Sequence, residues 1–79
     1  MGAEDNPTPR QLTLVQELFD QYEWYYPGLD EGCRIIYGKE FSRLNRGQMG
    51  MVIDDLFYLA GRKEDKPTYR SLEGFITSW

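Results

Sequence analysis

Few side chains in this 79-residue sequence could do chemistry: the carboxylate pairs Asp30-Glu31 and Asp54-Asp55, and one thiol, Cys33. Each fails a requirement. Successive residues of a helix project about 100° apart, so Asp54 and Asp55 cannot share a proton or a metal as a facing dyad does. They are expected on a solvated helix face. Asp30-Glu31, between Gly28 and Gly32, could lend oxygens to a weak calcium site, but the spaced ligands of an EF-hand loop are missing. The chain has no histidine to activate Cys33, which is expected to be a buried, inert thiol. Without histidine, and with a single cysteine, the usual zinc sites and nucleophile–base arrangements cannot be assembled. Gly38 and Gly47 do not form a phosphate loop. The expectation is a protein that is not an enzyme and carries no cofactor and no metal.

Contact chemistry is better supplied. The stretch "DQYEWYYPGLDEG", Asp20 to Gly32, sets one tryptophan and three tyrosines among acids. A chain this short buries only about 60% of its unfolded surface, so large apolar side chains are needed inside. At 15% aromatics, some remain for a partner. Net charge is −4 and unevenly placed. Residues 1–32 hold seven acids against Arg10, a net −6, whereas residues 33–79 hold eight bases against six acids, a net +2. This acidity argues against a protein that simply coats nucleic acid.

The elements that position these residues read as mainly α: a small three-helix domain over residues 8–79 behind a flexible tail, residues 1–7. Thr8, Pro9 and Gln11 form a capping-box start for a first helix expected to run to about Tyr26, because Pro27-Gly28 cannot continue it. Leu12, Val15, Phe19, Tyr22 and Tyr26 share its core stripe, with Leu18 beside them. Residues 28–44 read as a long, partly extended loop in which "CRIIYG" is strand-like. Asn45 and Gln48 cap a second helix with Met49, Val52, Ile53, Leu56 and Ala60 inward, and Gly61 suits the left-handed position after it. "RKEDKP" reads as a solvated link. Thr68 then caps a short third helix with Tyr69, Leu72, Phe75, Ile76 and Trp79 on one side. The polar N-terminus has no apolar core of a signal peptide, Thr8 falls one place late for myristoylation, and no apolar run approaches about 18 residues. A single cysteine fits a reducing compartment, and the expectation is a soluble, cytoplasmic protein.

"TPRQLTLVQELFDQ" and "FSRLNRGQMGMVIDDL" resemble small helical modules of bacterial and phage proteins. In those modules the first helix opens T-x-x-Q and a later one reads L-T-x-x-x-A-S-x-L-I-D-x-L. The similarity covers Thr8–Gln21 and Phe41–Leu56, with Asn45 in place of the threonine cap and Met49-Gly50 in place of Ala-Ser. It implies helices and carries no catalytic residue. The aromatic, acidic insert Glu23–Glu40 lies outside that pattern.

On the first helix Trp24 is expected roughly opposite the core stripe, near Glu17, Asp20 and Thr13, with Tyr25 at its edge; the alternative is that the 28–44 loop folds back and covers Trp24. On the second, Met51 and Tyr58 fall opposite the stripe beside Asp54 and Asp55. Large apolar groups among acids suit an interface with a basic protein surface. The leading expectation is therefore a small acidic interaction module. Its binding set is Glu17, Asp20, Glu23, Trp24, Tyr25, Asp30, Glu31, Met51 and Tyr58. By physical type it matches phage or mobile-element inhibitors, anti-CRISPR proteins among them, whose acids mimic phosphates in the basic groove of a nucleic-acid-handling protein. The alternative is a nucleic-acid-binding or transcription-regulating module using Arg34, Tyr37, Lys39, Arg43 and Arg46, where bases alternate with aromatics. A homo-oligomer burying Trp24, Met51 and Tyr58 is the third.

Overall fold

Two reciprocal caps start the two long helices. Thr8 Oγ1 accepts from the Gln11 backbone N–H at 3.1 Å while Gln11 Oε1 accepts from the Thr8 N–H at 3.0 Å. Asn45 and Gln48 repeat the arrangement at 2.8 and 3.1 Å. Each such cap satisfies otherwise orphaned donors and contributes about 1 kcal/mol. In the computed structural model, which describes residues 6–67 and 70–77, these caps open α1 (Pro9–Tyr22) and α3 (Arg46–Leu59). Between them lie α2 (Pro27–Tyr37) and a 3-10 turn (Phe41–Arg43), and after them a single-turn α4 (Glu73–Ile76). The fold is mainly helical, with no strand among the described residues. No helix among them is long and apolar enough to cross a membrane.

α1 and α3 run side by side in the same direction. At their starts Gln11 Nε2 donates to the Arg46 carbonyl at 3.5 Å; at their ends Tyr22 Oη donates to the Ala60 carbonyl at 3.4 Å. α2 and the 3-10 turn carry the chain back between them. The core joins Val15, Leu18 and Phe19 of α1, Leu29 and Cys33 of α2, Phe41, Leu44, four residues of α3, and Leu72 and Ile76. Of the 1–7 tail, residues 1–5 lie outside the described residues, and the Asn6 carbonyl accepts from Arg46 Nε at 3.2 Å.

The segment expected to be a loop holds a helix. Pro27, read as a stop, is the first residue of α2, where its fixed φ and missing N–H cost nothing. Leu29, Gly32, Cys33 and Ile36 then follow the i, i+3, i+4, i+7 spacing of a buried stripe. Gly28 and Gly32 occupy that stripe because α4 crosses it closely. A Cβ at Gly28 would lie 1.7 Å from the Phe75 carbonyl oxygen, and one at Gly32 would meet Leu72 at 2.5 Å. Residue 38 is the C-cap, a glycine at φ 78°, and Gly61 adopts the expected left-handed conformation at φ 76°.

α1 stops four residues earlier than expected. Glu23 adopts a left-handed conformation at φ 53°, and its N–H and that of Trp24 both reach the Phe19 carbonyl. Tyr26 therefore leaves the α1 stripe and is 45% exposed; Leu12, at the stripe's edge, is 40% exposed. The C-terminal helix is entered from Leu72 rather than from Thr68, and Thr68, Tyr69 and Trp79 lie outside the described residues.

Asp55 is the largest departure. It is 1% exposed, not solvated, and its carboxylate ties the C-terminal segment to α3. Oδ2 accepts from the Leu72 N–H at 2.6 Å and Oδ1 from the Ser71 hydroxyl at 2.9 Å. Burial raises its pKa above the ordinary carboxyl value; the hydrogen bonds from Leu72 and Ser71 pull it down and the charge of Glu73 pushes it up. The folded protein thus holds this proton more tightly than the unfolded chain. The stabilising contribution is complete below the unfolded value and is lost as pH rises through the folded one. A proton on Oδ1 can be donated to Ser71 Oγ, leaving Oδ2 to accept from Leu72. Asp55→Asn preserves both contacts without the charge, so in urea unfolding wild type should gain stability on this variant as pH falls from 7 toward about 4. Asp55→Ala, which strands the Leu72 N–H, should cost about 2–4 kcal/mol. Wild type losing ground to Asp55→Asn on acidification would contradict this assignment.

Candidate protein-binding site

The left-handed turn at Glu23 folds Trp24 back onto the end of α1. The Trp24 ring stacks on Tyr22 at 5.1 Å between centroids and meets Phe19 edge-on at 5.4 Å. Phe19 in turn meets Tyr26 edge-on at 5.3 Å, and the Arg62 guanidinium lies over Tyr22 at 5.9 Å. The aromatic run is thus a continuous ladder from Arg62 to Tyr26, each contact worth about 0.5–1.5 kcal/mol beyond area burial. Trp24, expected to point away from the core, is half-buried within it. The outward-facing members are Tyr25 and Tyr26, at 40% and 45% exposure. Tyr25 is held by its backbone N–H, which donates to the Ile76 carbonyl at 2.8 Å.

Tyr26 forms one wall of a surface groove of about 240 Å³, lined by Leu12, Thr13 and Gln16 of α1, Tyr26, and Phe41. Phe41 is buried and is fixed by Asp30, whose Oδ1 accepts from the Phe41 N–H at 3.0 Å. The groove is open and smaller than the roughly 300–1,000 Å³ typical of small-molecule sites. It suits one apolar side chain on a larger partner better than an enclosed ligand. At about 100° per residue Thr13, Gln16, Glu17 and Asp20 share the outward face of α1 beside it, and Glu23 follows at the helix end. All are exposed, and among the described residues Glu17, Asp20 and Glu23 enter no ion pair. A second depression, about 320 Å³, runs along Arg10, Thr13, Leu14 and Glu17.

The remaining residues of the expected binding set are dispersed. Asp30 is engaged by Phe41, and Glu31 projects about 100° away from it on the outer face of α2. Met51 and Tyr58 are half-buried on α3, beside Asp54, which pairs with Lys63 at 3.4 Å. The basic set is largely occupied. Arg34 and Arg43 share one carboxylate, Glu40, at 3.5 and 3.4 Å; Lys39 Nζ donates to Gln48; Arg46 donates to the Asn6 carbonyl. Tyr37 packs against the core. Sequence periodicity missed Tyr26 as a surface residue because it extended α1 through the Glu23 turn, and missed Leu12 because that residue sits at the edge of the stripe in the first turn of α1.

Cys33 is fully buried in the core, and burial, followed by the neighbouring charge of Asp30, pushes its thiol up to about 12. It stays protonated and unreactive at neutral pH. Comparison with protein-family models, with curated proteins and with solved structures gives no match to this chain. The resemblance carried by Thr8–Gln21 and Phe41–Leu56 therefore rests on its helices and capping boxes alone, both of which are present.

Because Trp24 is part of the ladder and half-buried, Trp24→Ala should lower unfolding free energy by about 2 kcal/mol, less than for a fully buried tryptophan. Denaturant unfolding reads this directly. A loss below about 0.5 kcal/mol would mean that Trp24 is an ordinary surface residue.

Proposed function

We propose that this protein is a non-enzymatic interaction module that receives a basic segment of a protein partner. An apolar anchor of that segment fills the Leu12–Tyr26 groove, and its Lys or Arg side chains meet Glu17, Asp20 and Glu23. The observation that carries this reading is the pairing of two exposed large apolar walls with three acids that no described cation neutralises. Exposed aromatic and aliphatic surface supplies contact energy, while unneutralised acids steer a basic partner and discriminate against acidic ones. The partner class that best fits is a nucleic-acid-handling protein, whose phosphate-binding surface is basic by necessity. Occupying that surface is the action of a nucleic-acid mimic, and on this reading the protein acts in the manner of small phage or mobile-element inhibitors of the anti-CRISPR type. Direct nucleic-acid binding through Arg34, Lys39, Arg43 and Arg46 receives less support, because the net charge of −4 repels phosphate and Arg34 and Arg43 already share Glu40.

Tyr26→Ala and the double reversal Asp20→Lys/Glu23→Lys separate the two parts of this site. Against a partner captured from native cells, each should weaken binding at least about tenfold, the size of a modest hot spot. The reversal should act mainly on the association rate and its salt dependence. Titration calorimetry and surface plasmon resonance measure both, with circular dichroism confirming the fold. Unchanged affinity in both variants would refute the assignment.

A further inference from the structure

α2 turns Leu29, Gly32, Cys33 and Ile36 inward, so its opposite face carries Pro27, Glu31, Arg34 and Gly38, with Ile35 along one edge. This face is separate from the groove, whose lining it does not share. Ile35, at 51%, is the most exposed large apolar side chain among the described residues. Glu31 is exposed and enters no ion pair among them. Arg34 touches Glu40 through one guanidinium nitrogen at 3.5 Å, and its side chain is 61% exposed, which leaves further N–H donors for a second carboxylate. At Gly38 a Cβ would meet nothing within 4 Å, so the backbone there is open to close approach.

The order of these groups is self-complementary. Lay the same face antiparallel across itself, with a two-fold axis passing between Glu31 and Arg34. Glu31 of each copy then meets Arg34 of the other, giving two equivalent ion pairs. Pro27 meets Gly38, and each Ile35 lies over the methylenes of Glu31 and the ring of Pro27 opposite. An isologous contact needs this property, that the residue contacted by i also contacts i in return. A foreign surface of either sign would be repelled by one of the two charges. The net charge of −4 disfavours indiscriminate self-association, so a contact between copies has to be locally neutral, as this one is.

We propose that the outer face of α2 is a homodimer contact, formed antiparallel about a two-fold axis, with Ile35 as its apolar element and reciprocal Glu31–Arg34 pairs as its register. A helix of 11 residues is about 16 Å long, so the contact is small and belongs to the weak, transient class. It is independent of the groove and leaves that site open in each copy.

Sedimentation equilibrium from about 10 µM to about 2 mM at low salt spans the affinities of such a contact. Wild type should show a reversible monomer–dimer equilibrium that weakens as salt is added. Glu31→Arg and Arg34→Glu should each raise the dimer dissociation constant at least about tenfold, because like charges then face one another at both crossings. An equimolar mixture of the two variants should recover wild-type association or better, since opposite charges meet again at both crossings. Ile35→Asp, a change in a side chain that enters no ion pair, should remain monomeric throughout and supplies an independent reading if Arg34→Glu perturbs the fold. A monomeric wild type, single variants that associate as wild type does, or a mixture no tighter than its components would each overturn the proposal.

Discussion

A carboxylate inside the core holds the last described turn of the chain. Asp55 sits on the buried face of α3, where an isolated charge would cost several kcal/mol. Two short hydrogen bonds, from the Leu72 amide and the Ser71 hydroxyl, offset part of that cost and fix the position at which α4 begins. From there Leu72 and Ile76 enter the core, and Phe75 is laid against Gly28 and Gly32 of α2. A helix of four residues has no stability of its own. What keeps α4 helical is this anchoring at its start and the close glycine contact along its side.

The same turn reaches the surface. The Ile76 carbonyl accepts from Tyr25, one residue before the wall of the groove and two before the start of α2. The path from α1 to α2 is therefore gripped at both ends, by the left-handed turn at Glu23 and by α4 at Tyr25. That grip is what sends Trp24 inward to stack on Tyr22 and leaves Tyr26 exposed above Phe41. Asp30 completes the arrangement by holding the Phe41 amide, so the groove is built on fixed backbone rather than on a free loop. In this account the exposed surface of a small domain is as closely specified as its core, because there is too little chain to separate the two.

Local signals in the sequence were strong where they were local in physics. Thr8 with Gln11 and Asn45 with Gln48 satisfy backbone donors three residues away, so the starts of α1 and α3 could be read directly, as could Gly61 and the inward set Met49, Val52, Ile53 and Leu56. What escaped depends on partners distant in sequence. Gly28 and Gly32 resemble loop punctuation until α4, more than 40 residues on, explains why no side chain fits. Asp55 resembles its solvated neighbour Asp54 until Leu72 and Ser71 arrive. The direction of Trp24 depended on one residue, Glu23, adopting a conformation that its type does not favour. Of the candidate site, the acids of α1 were legible from helical spacing, whereas Tyr26 was hidden by an overlong first helix and Leu12 by its place at the edge of the core stripe.

The central claim is that the C-terminal turn belongs to the core rather than resting on it. Native-state hydrogen exchange at the Leu72 and Tyr25 amides, which donate to Asp55 and to Ile76, tests it most directly. The account predicts that both exchange only through global opening, at the same free energy as the Val52 and Leu56 amides of α3. Rapid exchange at Leu72 and Tyr25 while α3 stays protected would show a turn that detaches on its own, and would contradict it.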